Sequence, residues 1–134
     1  MIYNWGCYGR SMGKTINEWV KEVHEYALEK GWWDEVNTAK CPNCKSEVSY
    51  PRPDSEALAL IHSEVSEAIE DNRIGSFEIA FEENGKPIGE VTELVDILIR
   101  IFDYAGKKGY DLEKVLEMKH AFNKTRPYRH NKRW

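Results

Sequence analysis

The chain has 134 residues, of which 41% are hydrophobic and 31% charged, with a formal net charge of −4. This length supports one hydrophobic core, and the composition excludes a disordered polymer. No apolar run reaches the length of a membrane span and the N-terminus lacks a basic-then-apolar leader, so a cytoplasmic protein with no membrane partner is expected.

Three cysteines cannot all pair within one chain, which speaks against a secreted disulfide framework. Charge is unevenly spread, with six Lys or Arg residues and no acid between Lys119 and Trp134. An acidic chain with a short basic end is a poor general nucleic-acid binder, which uses a wide basic face. It suits a compact site that holds cations and accepts a small polyphosphate.

The elements read as follows along a single domain, 1–134. Residues 1–14, with three Gly, two Tyr and one Trp, form an irregular arm. A first helix starts at Thr15 or Asn17, with Ile16, Trp19, Val20, Val23 and Ala27 at helical spacing, and stops at Gly31. Residues 32–53 read as a loop, its 34–53 stretch carrying Cys41-Pro42-Asn43-Cys44.

Asp54 or Ser55 caps a second helix that runs to about Asn72. Phe77, Ile79 and Phe81 alternate before Asn84-Gly85, as a small hairpin or an ordered loop would. A third helix spans about Gly89 to Ala105 and ends before Gly106. Asp111 caps a fourth that runs to Lys124, Pro127 stops it, and 125–134 is a basic tail. Four helices with almost no strand signal predict an all-α fold, a four-helix bundle with an inserted cysteine-bearing loop.

Two pairs of acids carry the functional signal. Glu64 with Glu67, and Glu93 with Asp96, each lie three residues apart and project from neighbouring positions on one side of a helix. Two helices offering such pairs can hold hard cations such as Mg2+ through carboxylate oxygens.

A single pair of this kind is usually a wet helix face, but the third helix argues otherwise. At about 100° per residue, Thr92, Glu93, Asp96, Arg100 and Asp103 share an arc of roughly 100°, and the rest of the circumference is apolar. A helix of that kind sits centrally or at a subunit interface. Its acidic stripe then faces a polar cavity or a partner charge, because unpaired buried carboxylates are costly.

On the second helix, Leu58, Ile61, Val65, Ala68 and Ile69 form the expected core side. Glu64, Glu67 and Asp71 gather within about 60° on another side, with Leu60 in the same sector.

The string Leu60-Ile61-His62-Ser63-Glu64-Val65-Ser66-Glu67-Ala68-Ile69-Glu70 resembles the first metal motif of MazG-like nucleotide pyrophosphohydrolases. Glu93-Leu94-Val95-Asp96-Ile97-Leu98-Ile99-Arg100 resembles the second, and Lys119 to Pro127 resembles the family's K-x-x-x-N ending. The likeness extends from about Asn17 to Lys132 and leaves out the cysteine loop.

The resemblance implies an all-α, Mg2+-dependent enzyme, with Mn2+ as a substitute. It cleaves a nucleoside triphosphate, a dNTP foremost, to the monophosphate and pyrophosphate, and forms a homodimer or homotetramer with sites at subunit contacts. It also implies Glu64, Glu67, Glu93 and Asp96 as ligands, with Glu67 a candidate for the base that orients the attacking water.

Lys119 and Asn123, four apart on the fourth helix, can reach one ligand together, and Arg126 and Arg129 can grip phosphates. Arg100, four after Asp96, reads as a structural partner of the acids. Trp19, His24, Trp32 and Trp33 are candidate walls for a base; His24 ahead of Gly31-Trp32 resembles the family's arrangement, whereas a tryptophan at helical spacing is more often core. His62 reads equally well as a plain surface histidine.

Cys41 and Cys44 have the spacing of one zinc knuckle, a structural Zn2+ needs four ligands, and Cys7 plus a histidine or a second subunit could supply the rest. An unmetallated loop and a redox pair are the alternatives. The rival to the enzyme is a non-catalytic, zinc-stabilised helical adaptor that binds a partner or nucleic acid through its basic tail.

Overall fold

In a computed structural model, residues 13–34 and 37–128 are described. The described residues are mostly helical, with four helices and two small hairpins among them. The helices are α1 (Ile16–Glu29), α2 (Asp54–Ile74), α3 (Glu90–Lys108) and α4 (Leu112–Lys124). The expected arm 1–14 lies outside the described residues apart from its last two, as do Cys7 and Arg129.

Local chemistry sets the helix ends. Thr15 caps α1 in a reciprocal box: its side chain accepts from the Glu18 N–H while the Glu18 carboxylate accepts from the Thr15 N–H. Gly75 ends α2 in the left-handed conformation at φ 76°. Asp111 caps α4 by accepting from the Lys114 N–H at 3.0 Å, and the same carboxylate oxygen accepts from Asn17 of α1 at 2.8 Å.

Gly106 does not end α3. The helix runs through it to Gly109, which takes the left-handed cap at φ 67°. Gly106 is where α1 and α3 come closest: a Cβ there would stand 2.4 Å from the His24 Cβ. Its missing side chain serves packing rather than termination.

The segment read as a cysteine loop contains an antiparallel hairpin, β1 (Asn37–Lys40) with β2 (Glu47–Tyr50), in register from Asn37 opposite Tyr50 to Lys40 opposite Glu47. The Asn84-Gly85 turn closes the second hairpin, β3 (Ala80–Phe81) with β4 (Pro87–Ile88), immediately before α3.

α3 is the central element, packed by α2 on one side and α1 on another, while α4 leans mainly on α1. The buried apolar residues are Val20, Ala27, Ala57, Ala68 and Ala105, and no large side chain among the described residues is fully enclosed. On α2 the expected core stripe is only partly covered: Ala68 is buried and Ile61 half-buried, but Leu58, Val65 and Ile69 are exposed, and the helix packs through Ala57, Glu64 and Ala68. On α3, Val91, Leu94, Val95, Leu98 and Ile99 are likewise exposed. The reason is geometric, since turning the acids toward the space between α2 and α3 carries the apolar stripes away from it. No helix among the described residues is long and apolar enough to cross a membrane.

Candidate functional site

The i, i+3 spacing of each acid pair, on helices that pack side by side, brings three carboxylates together. Oxygens of Glu64, Glu67 and Glu93 all lie within 4.8 Å of one another. Glu64 is buried, Glu93 half-buried and Glu67 exposed, so the cluster runs from the α2–α3 interface to the surface. Asp96, one turn after Glu93, lines the same cavity of about 400 Å³.

The cluster is electrostatically crowded. Burial pushes the Glu93 carboxyl above its usual range, and Glu67, Asp96, Glu64 and Asp71 add to the shift. Burial likewise raises Asp96, and Glu64 adds to this, while Arg100 and Lys86 oppose it. Like charges held this close favour either a shared proton or a cation. Arg100 of α3 supplies one positive charge by donating from Nε to the buried Glu64 carboxylate. It is thus the structural partner expected from its position four residues after Asp96.

The same cavity also has aromatic and basic lining. Trp32, just past the end of α1, and Tyr26 line it together with Arg52, which lies between Pro51 and Pro53. The Arg52 guanidinium sits 5.7 Å from the Trp32 ring centre and 5.6 Å from that of Trp33, and its Nε pairs with Glu56 at 2.9 Å. Lys86, from the turn between β3 and β4, completes the basic lining. A lining that combines acids, aromatic rings and cations suits a ligand that has both a flat ring and negative charge bound together with a cation.

The remaining expected contacts fall elsewhere. His24 does not itself line this cavity; its Nδ1 lies 2.7 Å from Oδ1 of Asp103, which does, and which also accepts from Trp33 Nε1 at 2.8 Å. His24 therefore joins α1 to α3 and fixes Trp33, whereas Trp32 reaches the cavity. Trp19 is exposed beneath the Lys14 ammonium, 4.4 Å from its ring centre, and His62 is exposed on α2. Lys119, Asn123 and Arg126 lie on or just after α4 and do not line the cavity.

Sequence reasoning missed Arg52, Lys86 and Tyr26 as cavity residues. Helical periodicity gave no hint of the first two, which sit in irregular segments. A cation locked between two prolines was the only signal for Arg52.

Cys41 and Cys44 stand at the tip of the first hairpin. The Cys41 N–H donates to the Ser46 carbonyl at 2.9 Å, and the Lys45 N–H to the Cys41 carbonyl at 2.9 Å, with Lys45 left-handed at φ 60°. Cys44 Sγ lies 2.9 Å from Ser46 Oγ. Hydrogen bonds from the Ser46 side chain and backbone, and from Cys41, lower the Cys44 thiol to about 7. Both thiols are free.

Compared with models of known protein families, with curated proteins and with solved structures, the chain matches none.

Proposed function

We propose that the cavity binds a nucleoside triphosphate with Mg2+ and hydrolyses it to the monophosphate and pyrophosphate. The observation that carries this reading is the convergence of Glu64, Glu67 and Glu93 in a cavity that Trp32, Tyr26 and Arg52 also line.

The donor set fits the metal. All three groups are carboxylates, with no thiol or imidazole among them, as a hard cation requires. The crowding that raises Glu93 and Asp96 is relieved by positive charge. Glu64, Glu67 and Glu93 would hold the ion and Asp96 would complete or orient the set. When bound, Mg2+ neutralises phosphate charge and polarises the phosphoryl oxygens.

The chain's own groups supply the rest. Arg52 and Lys86 bind the phosphate oxygens, and Trp32 and Tyr26 offer flat surfaces to the base. Glu67 is the most exposed of the three clustered acids; it orients the attacking water and takes its proton on a carboxylate oxygen. Cleavage between the α and β phosphates, and the preference for a dNTP, rest on the motif resemblance to MazG-like pyrophosphohydrolases.

The same reading makes the protein a homodimer or homotetramer, in which a second copy closes the four-helix bundle. The exposed apolar faces of α2 and α3 and the thin alanine core support this. Lys119, Asn123 and Arg126 would then serve a neighbouring copy's cavity.

The test is a panel of the canonical NTPs and dNTPs incubated with Mg2+ and resolved by ion-exchange chromatography. Monophosphate and pyrophosphate in equal amounts from at least one substrate support the proposal. Orthophosphate alone, or no turnover of any of them, overturns it.

A further inference from the structure

The β1–β2 hairpin is short and, in the contacts described, stands largely apart from the helices. Its strands span four residues each, they pair with one another, and they make at most marginal contact with the helices. Ala39, Lys40, Glu47 and Ser49 are all exposed. An isolated two-stranded hairpin is marginal in water, and small units without a core commonly depend on a disulfide or a metal.

What this hairpin does have is a cysteine at each end of a tight turn. The turn is shaped for them: the ladder continues through the bond from the Cys41 N–H to the Ser46 carbonyl. The chain then reverses through left-handed Lys45, whose N–H returns to the Cys41 carbonyl. This folding of the 41–46 backbone gathers both cysteines at one tip without a disulfide between them.

A redox pair of this spacing works at a helix N-terminus, where the dipole stabilises the thiolate. Here the pair lies between two strands, so that role lacks its usual support.

We propose that Cys41 and Cys44 together bind a zinc ion as a two-thiolate clamp that holds the hairpin folded. Each thiol loses its proton to solvent as the sulfur–zinc bond forms, so binding also contributes folding energy. The consequence reaches the cavity. Trp32 lies on one side of the hairpin in sequence and Arg52 on the other, so a pinned hairpin fixes the separation of two cavity-wall residues. The site stands apart from the acidic cluster and is independent of the nucleotide reading.

Tetrahedral zinc takes four ligands. Among the described residues no third Cys, His or carboxylate lies close enough to join the pair. The remaining two donors are the matching pair of a second copy's hairpin, which brings the count to four.

The experiment is metal analysis of the full chain purified under reducing conditions from zinc-supplemented cells, followed by exchange of zinc for Co2+. The expected result is bound zinc that resists dialysis, together with a thiolate-to-cobalt charge-transfer band in the near ultraviolet. Cys41→Ser and Cys44→Ser each lose the metal and the band while the helical circular dichroism is retained. Proteolysis within 35–51 becomes faster in both variants.

One zinc per two chains, unaffected by Cys7→Ser, assigns the other donors to a partner hairpin. One zinc per chain, or zinc lost in Cys7→Ser, overturns the shared clamp. The proposal is overturned by a protein that takes up neither metal, by zinc retained in the Cys41→Ser/Cys44→Ser double variant, or by a purified chain two hydrogens light through a Cys41–Cys44 disulfide. The wild-type cobalt spectrum decides the matter even if a variant fails to fold.

Discussion

Replacing Arg100 by Met should destabilise the protein, and Mg2+ should recover much of the loss. The Glu64 side chain is 7% exposed and its ion-pair partner Arg100 is 37% exposed. An exposed pair contributes about 1 kcal/mol or less, whereas removing one member of a fully buried pair costs about 3–5 kcal/mol. This pair is half of each kind, so Arg100→Met should cost about 2 kcal/mol in EDTA, or roughly 8 °C in Tm for a chain of this size. Met preserves most of the apolar stem, which keeps packing losses small.

If Glu64 belongs to a metal site, a cation can replace the lost guanidinium charge. Added Mg2+ should therefore raise the Tm of the variant more than that of the wild type. Urea melts with EDTA and with Mg2+ measure both effects, and Glu64→Gln/Arg100→Met closes the cycle by removing the stranded charge. A variant within 0.5 kcal/mol of wild type in EDTA would refute the pairing argument, since that lies within the usual effect of a neutral surface substitution. Equal Mg2+ shifts in variant and wild type would refute the link between Glu64 and the cation.

Other consequences follow from the packing. Gly106→Ala should cost about 1–3 kcal/mol, because the new Cβ meets the His24 Cβ at 2.4 Å; a circular-dichroism melt measures it. If the cavity takes the proposed nucleotide, Trp32→Ala should raise KM at least several-fold while leaving kcat within a few-fold, since the proposal sets the ring against the base and away from the reacting phosphate. Leu98→Asp, on the exposed face of α3, should yield a monomer by light scattering if that face meets a second copy. Asp111 is held below the usual aspartate range first by the Asn17 hydrogen bond and then by the Lys114 N–H. Its contribution to stability is full above the unfolded aspartate value and is lost as pH falls through the lowered folded value. Protection from amide exchange at the start of α4, taken relative to the intrinsic rate at each pH, should therefore fall with acidification, and less so in Asp111→Asn.

The parts of this molecule legible in its sequence are those set by local chemistry. The Thr15 capping box and the Asp111 cap need only neighbours within one turn, and i, i+3 spacing is enough to aim Glu64 with Glu67 toward Glu93. Gly106 was misread because a cap glycine and a close-approach glycine look alike until α1 is laid across α3. The stripe of Leu58, Val65 and Ile69 was legible as apolar, but its direction was not, because periodicity shows that a face is apolar without showing what covers it. Arg52 and Lys86 reach the cavity from irregular segments whose paths depend on the two hairpins. Their place in it could not be read from spacing.

The central claim is that the carboxylate cluster splits a nucleoside triphosphate. Its most direct test is 31P NMR of a turning-over substrate, chosen from the panel, with wild type and with Glu67→Gln, each with Mg2+ and with EDTA. The account predicts monophosphate and pyrophosphate signals from wild type with Mg2+ alone, and an unchanged triphosphate with a folded Glu67→Gln. Turnover that survives in the variant or in EDTA, or orthophosphate as the only product, would contradict it.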